Sequence, residues 1–353
     1  MKQPALGFLN IAFLYVATIM GAGFASGREI WQFFGVFGSY GTVGVLFVAV
    51  LFALMGFMTS RIAKKLDTND LGKVVVPGES LLLKNFMANF MAIMLFFAIV
   101  TMSAAGGALF YQQFGLSRAL GGAVIVTLVI VTVIGGFERV SGVFRFIVPA
   151  LMAIVLLTSV AVIVQSGWAL RVPGTAEPDW AFQPSPLAGS WPLAAILYLS
   201  YNILGVIPIL STAAIRAKSG GHAYVGSALG GLLLGLLAFI LLAAIMTAPA
   251  LSNDADMPML ALSGHLPAAV NAVYTGALFC AIYASATSCY YGFTIKMIKA
   301  PRRKIKIALG AWAGFALGLV GFTNVVAYLF PVAGFLGLSI LVMLTVNYFH
   351  TLR

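Results

Sequence analysis

The fold is decided by the stretch Ile19-Met20-Gly21-Ala22-Gly23-Phe24-Ala25-Ser26-Gly27-Arg28-Glu29, which places three glycines and two charges inside an apolar helical run. Glycine costs about 1 kcal/mol against alanine in a helix interior. Backbone freed from its helical hydrogen bonds is tolerated at membrane depth only where it is buried in protein or lines a cavity. The stretch therefore predicts a broken helix, with halves over residues 6–20 and 28–37. The N–H groups and carbonyls between the halves are suited to hold a small charged ligand.

The composition is that of an integral membrane protein, with 61% hydrophobic residues, 8% charged residues and a mean hydropathy of +1.05. The 353 residues accommodate ten spans and leave no room for a soluble domain, so we expect a single transmembrane domain over residues 1–353. The formal net charge of +11 does not indicate nucleic acid binding. The basic residues lie in loops between apolar runs, not in a stripe interleaved with exposed aromatic residues.

Nine further apolar runs follow the broken first span and predict an all-α chain of ten transmembrane helices. They cover residues 40–62, 85–112, 119–136, 139–165, 190–215, 221–246, 267–298, 304–322 and 324–348. A short interfacial helix is expected near residues 259–263. Span six contains Asn202, Gly205 and Pro208, which predict a second mid-membrane break at about residues 202–205. Pro331 and Gly334 predict a bend in span ten.

The distribution of basic residues predicts the orientation in the membrane. If the N-terminus is cytoplasmic, Arg28, Arg118 and Arg171 lie outside, and the other 17 of the 20 basic residues lie inside. The inside set is Lys2, Arg61, Lys64, Lys65, Lys73, Lys84, Arg139, Arg145, Arg216, Lys218, Lys296, Lys299, Arg302, Arg303, Lys304, Lys306 and Arg353. The positive-inside rule then places both termini in the cytoplasm.

The chain also predicts an internal repeat. Residues 6–165 and residues 190–348 each hold five spans, and the first span of each half is interrupted by glycine. Since five is odd, the second half must start on the opposite side of the membrane, which makes the repeat inverted. Interrupted helices at corresponding positions of inverted halves indicate a secondary transporter with its site at the midplane.

These features carry a resemblance to a known family. The ten spans, the two predicted breaks and Gly21-Ala22-Gly23 resemble the LeuT-fold transporters of the amino acid–polyamine–organocation superfamily. The run Gly-Ala-Gly-Phe-Ala-Ser-Gly-Arg-Glu-Ile, residues 21–30, looks like the signature of the YkvI-type bacterial membrane proteins. The resemblance implies a multi-pass protein of a bacterial cell membrane.

The resemblance implies a substrate site at the two breaks. In the resembled fold, N–H groups of the unwound first span bind a substrate carboxylate, which maps onto Ala22, Gly23 and Phe24, next to Gly21, and agrees with the physics of helix N-termini. Ser200, Tyr201 and Asn202 offer polar groups at the second break, and Thr101 and Ser103 offer hydroxyls from span three. The alternative is that the glycines and the small residues of span three serve close helix packing.

The cluster Ala284-Ser285-Ala286-Thr287-Ser288 on span eight is similar to the sodium site of sodium-coupled members. The resemblance implies Na⁺ ligands from the carbonyl of Ala284 and the hydroxyls of Thr287 and Ser288, joined by the span-one carbonyls of Ala17 and Met20. Hard cations prefer oxygen ligands of this kind. The alternative is that both hydroxyls bond to carbonyls one turn earlier in the same helix.

Charged residues within spans are rare, so Arg28 and Glu29 are candidates for function. The resemblance makes Arg28 a candidate for an outer gate, and we group Glu29 with it. Three interpretations of Glu29 remain open: it pairs with Arg28 or Arg118, lines the outer vestibule, or binds a cationic part of the substrate. The alternative for both residues is simple contact with water near the surface.

The sequence shows no hydrolytic triad, phosphate-binding loop or His/Cys metal cluster, so we expect neither an enzyme nor an organic cofactor. The leading hypothesis is a sodium-coupled symporter for a small carboxylate-bearing solute, such as an amino acid or a related metabolite, working by alternating access. The alternatives are a membrane sensor or receptor subunit of the same fold and a proton-coupled or uncoupled carrier. The expected partners are a small-molecule substrate and the lipid bilayer, and not nucleic acid.

Overall fold

The structure is a computed structural model that describes residues 5–78, 80–135, 137–167, 182, 184–295 and 301–352. For residues 81, 84, 85, 88, 137–149, 295 and 352 only the backbone is described. Several residues of the predicted orientation therefore lie outside the description: Lys2, Arg171, Lys296, Lys299 and Arg353, together with the side chains of Lys84, Arg139 and Arg145.

The described chain is helical and contains one isolated β-bridge, between Leu6 and Ala217. Its helices are α1 Phe8–Ile19, α2 Ala22–Ala25, α3 Arg28–Phe33, α4 Ser39–Leu66, α5 Leu71–Val75, α6 Leu81–Phe114, α7 Arg118–Ile134, α8 Phe137–Gln165, α9 Trp191–Ile215, α10 Gly220–Ile245, α11 Pro249–Asp254, α12 Pro258–Ser263, α13 Ala268–Ile295, α14 Arg303–Gly318, α15 Phe322–Asn324 and α16 Phe330–Leu352. A 3₁₀ turn covers Gly35–Phe37, and a π-helical segment covers Val325–Leu329.

Each predicted span coincides with a helix or, for the first and last spans, with an interrupted series of helices. In the described chain, six helical stretches are long and apolar enough to cross a membrane: Ser39–Leu66, Asn89–Phe114, Trp191–Ile215, Gly220–Ile245, Ala268–Thr294 and Phe322–Thr351. Shorter apolar helices cover Phe8–Ile19, Arg118–Ile134 and Ala150–Gln165. The chain is therefore a multi-pass membrane protein, while the count of ten spans and the inverted repeat stay predictions.

The predicted break in span six is wrong, because α9 runs without interruption from Trp191 to Ile215. Asn202 bonds to its own helix, with its side-chain Nδ2 donating to the carbonyl of Tyr198 at 3.0 Å. Gly205 keeps helical backbone, and Pro208 removes only one N–H donor from the helical ladder. Glycine and proline weaken a helix without having to end it, and here the surrounding packing keeps it continuous.

Span ten contains a π-helical segment just before Pro331 and Gly334, and the bend predicted at these residues stays a prediction. Pro331 has no N–H and so cannot donate to the carbonyl of Ala327 four residues earlier. The hydroxyl of Ser185 donates to that carbonyl. Loss of one backbone bond at a proline, compensated by a side chain, explains the widened turn.

The helices pack in two groups, with α1, α4, α9 and α10 in contact in one group and α6, α7, α13 and α14 in contact in the other. Glycines allow close approach within each group. A methyl group added to Gly231 of α10 would lie 2.6 Å from the Phe52 carbonyl carbon of α4, and one added to Gly121 of α7 would lie 2.6 Å from Phe110 Cβ of α6. Small residues at such contacts are the usual basis of helix packing in membranes.

Basic residues of the predicted inside set and those of the predicted outside set contact different segments of the chain. Lys64 Nζ donates to the carbonyl of Ile215 at 3.2 Å, and Leu6 N–H donates to the carbonyl of Arg216 at 2.9 Å, so the starts of α1 and α10 meet the ends of α4 and α9. By contrast, Arg28 and Arg118 both contact the α10–α13 connection, as described below. Which end faces the cytoplasm stays a prediction.

Candidate functional site

The first interruption of span one is a tight turn at Met20, whose φ of −72° and ψ of 63° are those of an inverse γ-turn. The N–H of Gly21 donates to the carbonyl of Ile19 at 2.6 Å. In a continuous helix this N–H would bond to Ala17, so the turn releases the Ala17 carbonyl. The carbonyl of Met20 precedes the first residue of α2 and lies outside both helices.

The second interruption lies at Ser26 and Gly27. Gly27 has a φ of +79°, a left-handed conformation that favours glycine, and it turns the chain into α3. Between the interruptions, residues 22–25 form one helical turn, closed by a bond from Ala25 N–H to the Gly21 carbonyl at 2.9 Å. The expected non-helical stretch at about residues 21–26 is therefore corrected to two turns that flank a single helical turn.

This arrangement brings Gly23, Glu29 and Tyr201 together. Glu29 is 6% exposed, and its carboxylate folds back over α2. A methyl group added to Gly23 would overlap Glu29 Oε1 and would lie 2.6 Å from Glu29 Cδ. The hydroxyl of Tyr201 donates to Glu29 Oε2 at 2.7 Å. The space beside Gly23, which the sequence predicted for a ligand, is thus occupied by a side chain of the same chain.

Glu29 pairs with neither of the arginines that the sequence offered as partners. In the described part of the chain, the one ion pair joins Arg118 and Asp256, with Arg118 Nη2 2.7 Å from Asp256 Oδ2. Arg28 is buried and donates from Nη1 to the backbone carbonyls of Asn253 and Ala255, at 3.0 and 3.2 Å. The carboxylate of Glu29 therefore has a hydroxyl partner but no cationic partner among the described residues.

On α13, Thr287 is fully buried, and its Oγ1 has no hydrogen-bond partner among the described residues. Other hydroxyls of the same helix bond back to its backbone. Thr275 Oγ1 donates to the carbonyl of Asn271 at 2.8 Å, and Thr294 Oγ1 donates to Tyr291 at 2.8 Å. The alternative predicted for Thr287, a bond to the preceding turn, is therefore absent. Ala284 is buried beside it, whereas Ser288 is exposed.

The α13 cluster and the broken span lie against each other. A methyl group added to Gly21 would contact Ser285 Oγ at 3.4 Å, and the hydroxyl of Tyr274 donates to the carbonyl of Ala25. Tyr201 approaches α3 from α9, and Tyr274 approaches α2 from α13, so α2 and α3 contact both helix groups. A ligand bound here would touch elements of both groups.

The other predicted polar residues bond within or between helices. Ser103 donates to the carbonyl of Val100 at 2.9 Å and lines a cavity of about 20 Å³ between α6, α7 and α14, away from the breaks. Thr101 is rotated about 200° from Ser103 on α6 and donates to the carbonyl of Phe97 at 3.0 Å. Ser200 donates to the carbonyl of Gly334 on α16. Their roles in substrate binding stay predictions.

The connection between α10 and α13 is held over α3. Besides the two bonds from Arg28, Trp31 Nε1 donates to Asn253 Oδ1 at 3.3 Å, and the N–H of Met259 donates to the carbonyl of Ser26 at 3.0 Å. α11 and α12 thus cover the downstream end of the broken span.

The same connection is tied to the second helix group. Gln112 and the backbone of Met257 exchange two bonds, of 2.9 and 3.0 Å. Asp256 accepts from Arg118 and, through Oδ1, from Thr323 Oγ1 at 2.7 Å. The connection therefore bridges both groups at this end of the molecule.

Sequence reasoning missed three residues of the site. Tyr198 is fully buried, and its hydroxyl lacks a hydrogen-bond partner among the described residues. Tyr274 holds α2 from α13, and Asp256 fixes the α11–α12 connection. Tyr198 could have been found from its position three residues before Tyr201, which places both on one face of α9. The other two carry no local signal.

Known proteins resemble this chain in sequence and in fold. No protein-family model matches the chain. It is 24% identical over 341 residues to the membrane protein YkvI of Bacillus subtilis strain 168, covering 96% of this chain and 95% of that one. It is 25% identical over 337 residues to YyaD of the same organism, covering 94% of each chain. The resemblance predicted from residues 21–30 is confirmed.

Among solved structures, the inward-facing conformation of Mhp1 matches with a TM-score of 0.66 at 12% identity, covering 95% of this chain and 74% of Mhp1. MhsT in complex with L-phenylalanine matches with a TM-score of 0.59 at 16% identity, covering 99% and 88%. The manganese transporter of Eremococcus coleocola matches with a TM-score of 0.54 at 14% identity, covering 89% and 70%. The fold is the LeuT fold.

Within this LeuT fold, the interrupted first helix is present and the sixth is continuous. The candidate site is consequently asymmetric. Among the described residues of the site, span one supplies released backbone, while α9 contributes side chains, above all Tyr201.

Proposed function

We propose that the protein is a sodium-coupled secondary transporter of a small carboxylate-bearing solute, such as an amino acid, and that it works by alternating access. The observation that carries the proposal is that backbone released from the helical ladder at Met20–Gly21 lies against Ser285 of the α13 cluster. In the same cluster the buried Thr287 hydroxyl has no partner among the described residues. Burying such a group without a partner is costly, so an ion or a solute that binds there is favoured.

The carboxylate of the solute is proposed to bind at the start of α2. The N–H groups of Ala22, Gly23 and Phe24 belong to the first helical turn, where no helical acceptor precedes them. MhsT, which shares the fold, was solved in complex with L-phenylalanine, a molecule with a carboxylate. Both observations support an amino acid or a close relative as the solute.

The ion is proposed to bind between span one and α13. Ala17 and Met20 would supply carbonyl oxygens, Ala284 a third carbonyl, and Thr287 and Ser288 hydroxyls. The turn at Met20 supports this assignment because it releases the Ala17 carbonyl. The free hydroxyl of Thr287 supports it because neutral oxygens of this kind suit a hard cation. Bound there, the ion would link the two helix groups and so couple its own release to their movement.

Alternating access is proposed to proceed by movement of one helix group against the other. The α11–α12 connection bridges the groups at one end, where Arg28 and Arg118 hold it. We propose that this connection is the outer gate and that the hydrogen bonds from Arg28 are the main contacts that hold it closed. The charge distribution along the chain, which predicts this end to lie outside, agrees with that role. Opening the gate requires release of both arginines.

The test is a thermal-shift screen of the purified full chain with the common L-amino acids, in sodium and in choline at matched ionic strength. Sodium should stabilise the wild type by an amount that grows as RT ln(1 + [Na⁺]/Kd). The double variant Thr287→Ala/Ser288→Ala should lose most of this response. Thr275→Ala, on the same helix but with its hydroxyl already bonded to Asn271, should keep it.

Thermodynamic linkage makes the test sharper, because sodium and solute must raise each other's affinity by the same factor. A wild type that binds a solute equally well in sodium and in choline would exclude coupling and favour a proton-coupled or uncoupled carrier. Uptake of the bound amino acid into proteoliposomes under an imposed sodium gradient separates transport from ligand sensing. A protein that binds its ligand without uptake under any ion gradient would be a sensor or receptor subunit.

A further inference from the structure

The feature that the proposed transport cycle leaves unexplained is Glu29. The sequence contains nine acidic residues, and Glu29 is the one whose carboxylate the structure places among the described membrane-spanning helices. A carboxylate withdrawn from water loses several kcal/mol of hydration unless a cation or hydrogen bonds compensate. Tyr201 supplies one hydrogen bond to Oε2, and Oε1 accepts none from the described residues.

Arg28, the neighbouring cation, makes no ion pair or hydrogen bond with the Glu29 carboxylate. Arg28 directs Nη1 to the carbonyls of Asn253 and Ala255, and its Nη2 lies 3.5 Å from Gln32 Oε1. Arg118 is bound to Asp256. Neither basic side chain of this end therefore bonds to Glu29, although the buried Nε of Arg28 has no partner among the described residues. The free oxygen of Glu29 lies against the helical turn α2 at Gly23.

A second buried polar group, next to Tyr201, also lacks a partner among the described residues. Tyr198 lies one turn before Tyr201 on α9, with ring centroids 5.6 Å apart, and its hydroxyl is buried and unbonded within the described chain. The rings of Phe33 and Phe330 lie 5.7 and 5.0 Å from the ring of Tyr201. Glu29 Oε1 and the two tyrosine oxygens can each accept a hydrogen bond, and an ammonium group has three to donate. Aromatic rings nearby add a favourable environment for a cation.

We propose that Glu29 binds a cationic ammonium group of the solute, between Gly23 and the tyrosines of α9. The inference rests on the proposed transport function and deepens it by naming the solute class. With a carboxylate held by N–H groups at the start of α2, the solute is a zwitterion whose ammonium group meets the charge of Glu29 within the same site. A solute with a carboxylate alone would bring a second negative charge next to Glu29, and like charges in a water-poor site repel strongly.

The experiment uses matched trios of an amino acid, its amine without the carboxyl group and its acid without the amino group. The trios are alanine, ethylamine and propionate; leucine, isoamylamine and isocaproate; and phenylalanine, phenethylamine and 3-phenylpropionate. Binding to the purified full chain is measured by calorimetry for wild type, Glu29→Gln and Tyr201→Phe. Glu29→Gln keeps the shape of the side chain and an oxygen that can accept from Tyr201, and removes only the charge.

The wild type should bind an amine-bearing probe and reject the acid of the same trio by at least about tenfold, which corresponds to about 1.4 kcal/mol. In Glu29→Gln this ratio should fall to near one, whereas a structural defect would weaken both probes equally. Tyr201→Phe should bind more weakly but keep the ratio. Equal binding of acid and amino acid by the wild type, an unchanged ratio in Glu29→Gln, or binding of no amine-bearing probe would each overturn the inference.

Uptake assays distinguish this failure from failure of the proposed function. A des-amino acid that binds and is accumulated in proteoliposomes refutes the role of Glu29 and leaves transport intact. An amino acid that binds through Glu29 and is never accumulated supports the binding role and refutes transport.

Discussion

The contact between Gly23 and Glu29 yields a prediction with a defined magnitude. In Gly23→Ala the new methyl group overlaps Glu29 Oε1 and lies 2.6 Å from Cδ, well inside the usual carbon contact distance of about 3.5–4.0 Å. Glu29 must move, and its movement breaks the bond from Tyr201, worth about 1.5–3 kcal/mol for a charged acceptor. Alanine regains up to about 1 kcal/mol in a helical position. The expected net loss is about 0.5–2 kcal/mol, and ligand binding should be lost with it.

The measurement is equilibrium unfolding of the full chain in mixed micelles, with Gly21→Ala as the matched control. The methyl group of that control meets Ser285 Oγ at 3.4 Å, an ordinary contact, so its free energy of unfolding should change by about 0.5 kcal/mol or less. In a Glu29→Ala background the overlap disappears, and Gly23→Ala should become neutral or stabilising. The reasoning is refuted if Gly23→Ala is as harmless as Gly21→Ala, or costs the same with and without Glu29.

Two further predictions test other parts of the structure. Gly205→Ala should stabilise by about 0.5–1 kcal/mol, since α9 is continuous and, apart from its own backbone, no atom of the described residues lies within 4 Å of the added methyl group; a broken span six would make it destabilising. Gly337→Ala is its control and should destabilise by about 1–3 kcal/mol, because its methyl group would lie 2.5 Å from a hydroxyl of α9. Arg28→Met should speed hydrogen exchange over residues 249–263 far more than Arg118→Gln, whose ion pair is half exposed and worth less than about 1 kcal/mol. Equal acceleration in both would remove the special role of Arg28.

Much of the fold could be predicted because a membrane span is recognised from the hydropathy of a long run of consecutive residues. The ends of α4, α7, α9 and α10 fall within a few residues of the predicted bounds. The continuity of span six could not be predicted, because glycine and proline lower helix stability by amounts that packing can outweigh. At Gly21 and Gly27 the outcome differs because the chain changes direction there, with Gly27 in a left-handed conformation.

The central contact of the site lies beyond what spacing along one helix can reveal. Gly23 and Glu29 are six residues apart, which in a continuous helix means about 9 Å along the axis and different faces. The turn at Gly27 reverses this expectation, because it lets α3 start in a new direction and brings the Glu29 carboxylate back onto α2. The glycine predicted to make room for a ligand instead makes room for a carboxylate. The same turn therefore both opens the backbone of span one and places a negative charge beside it. A solute that binds there must bond to the free backbone groups and also compensate the charge of Glu29.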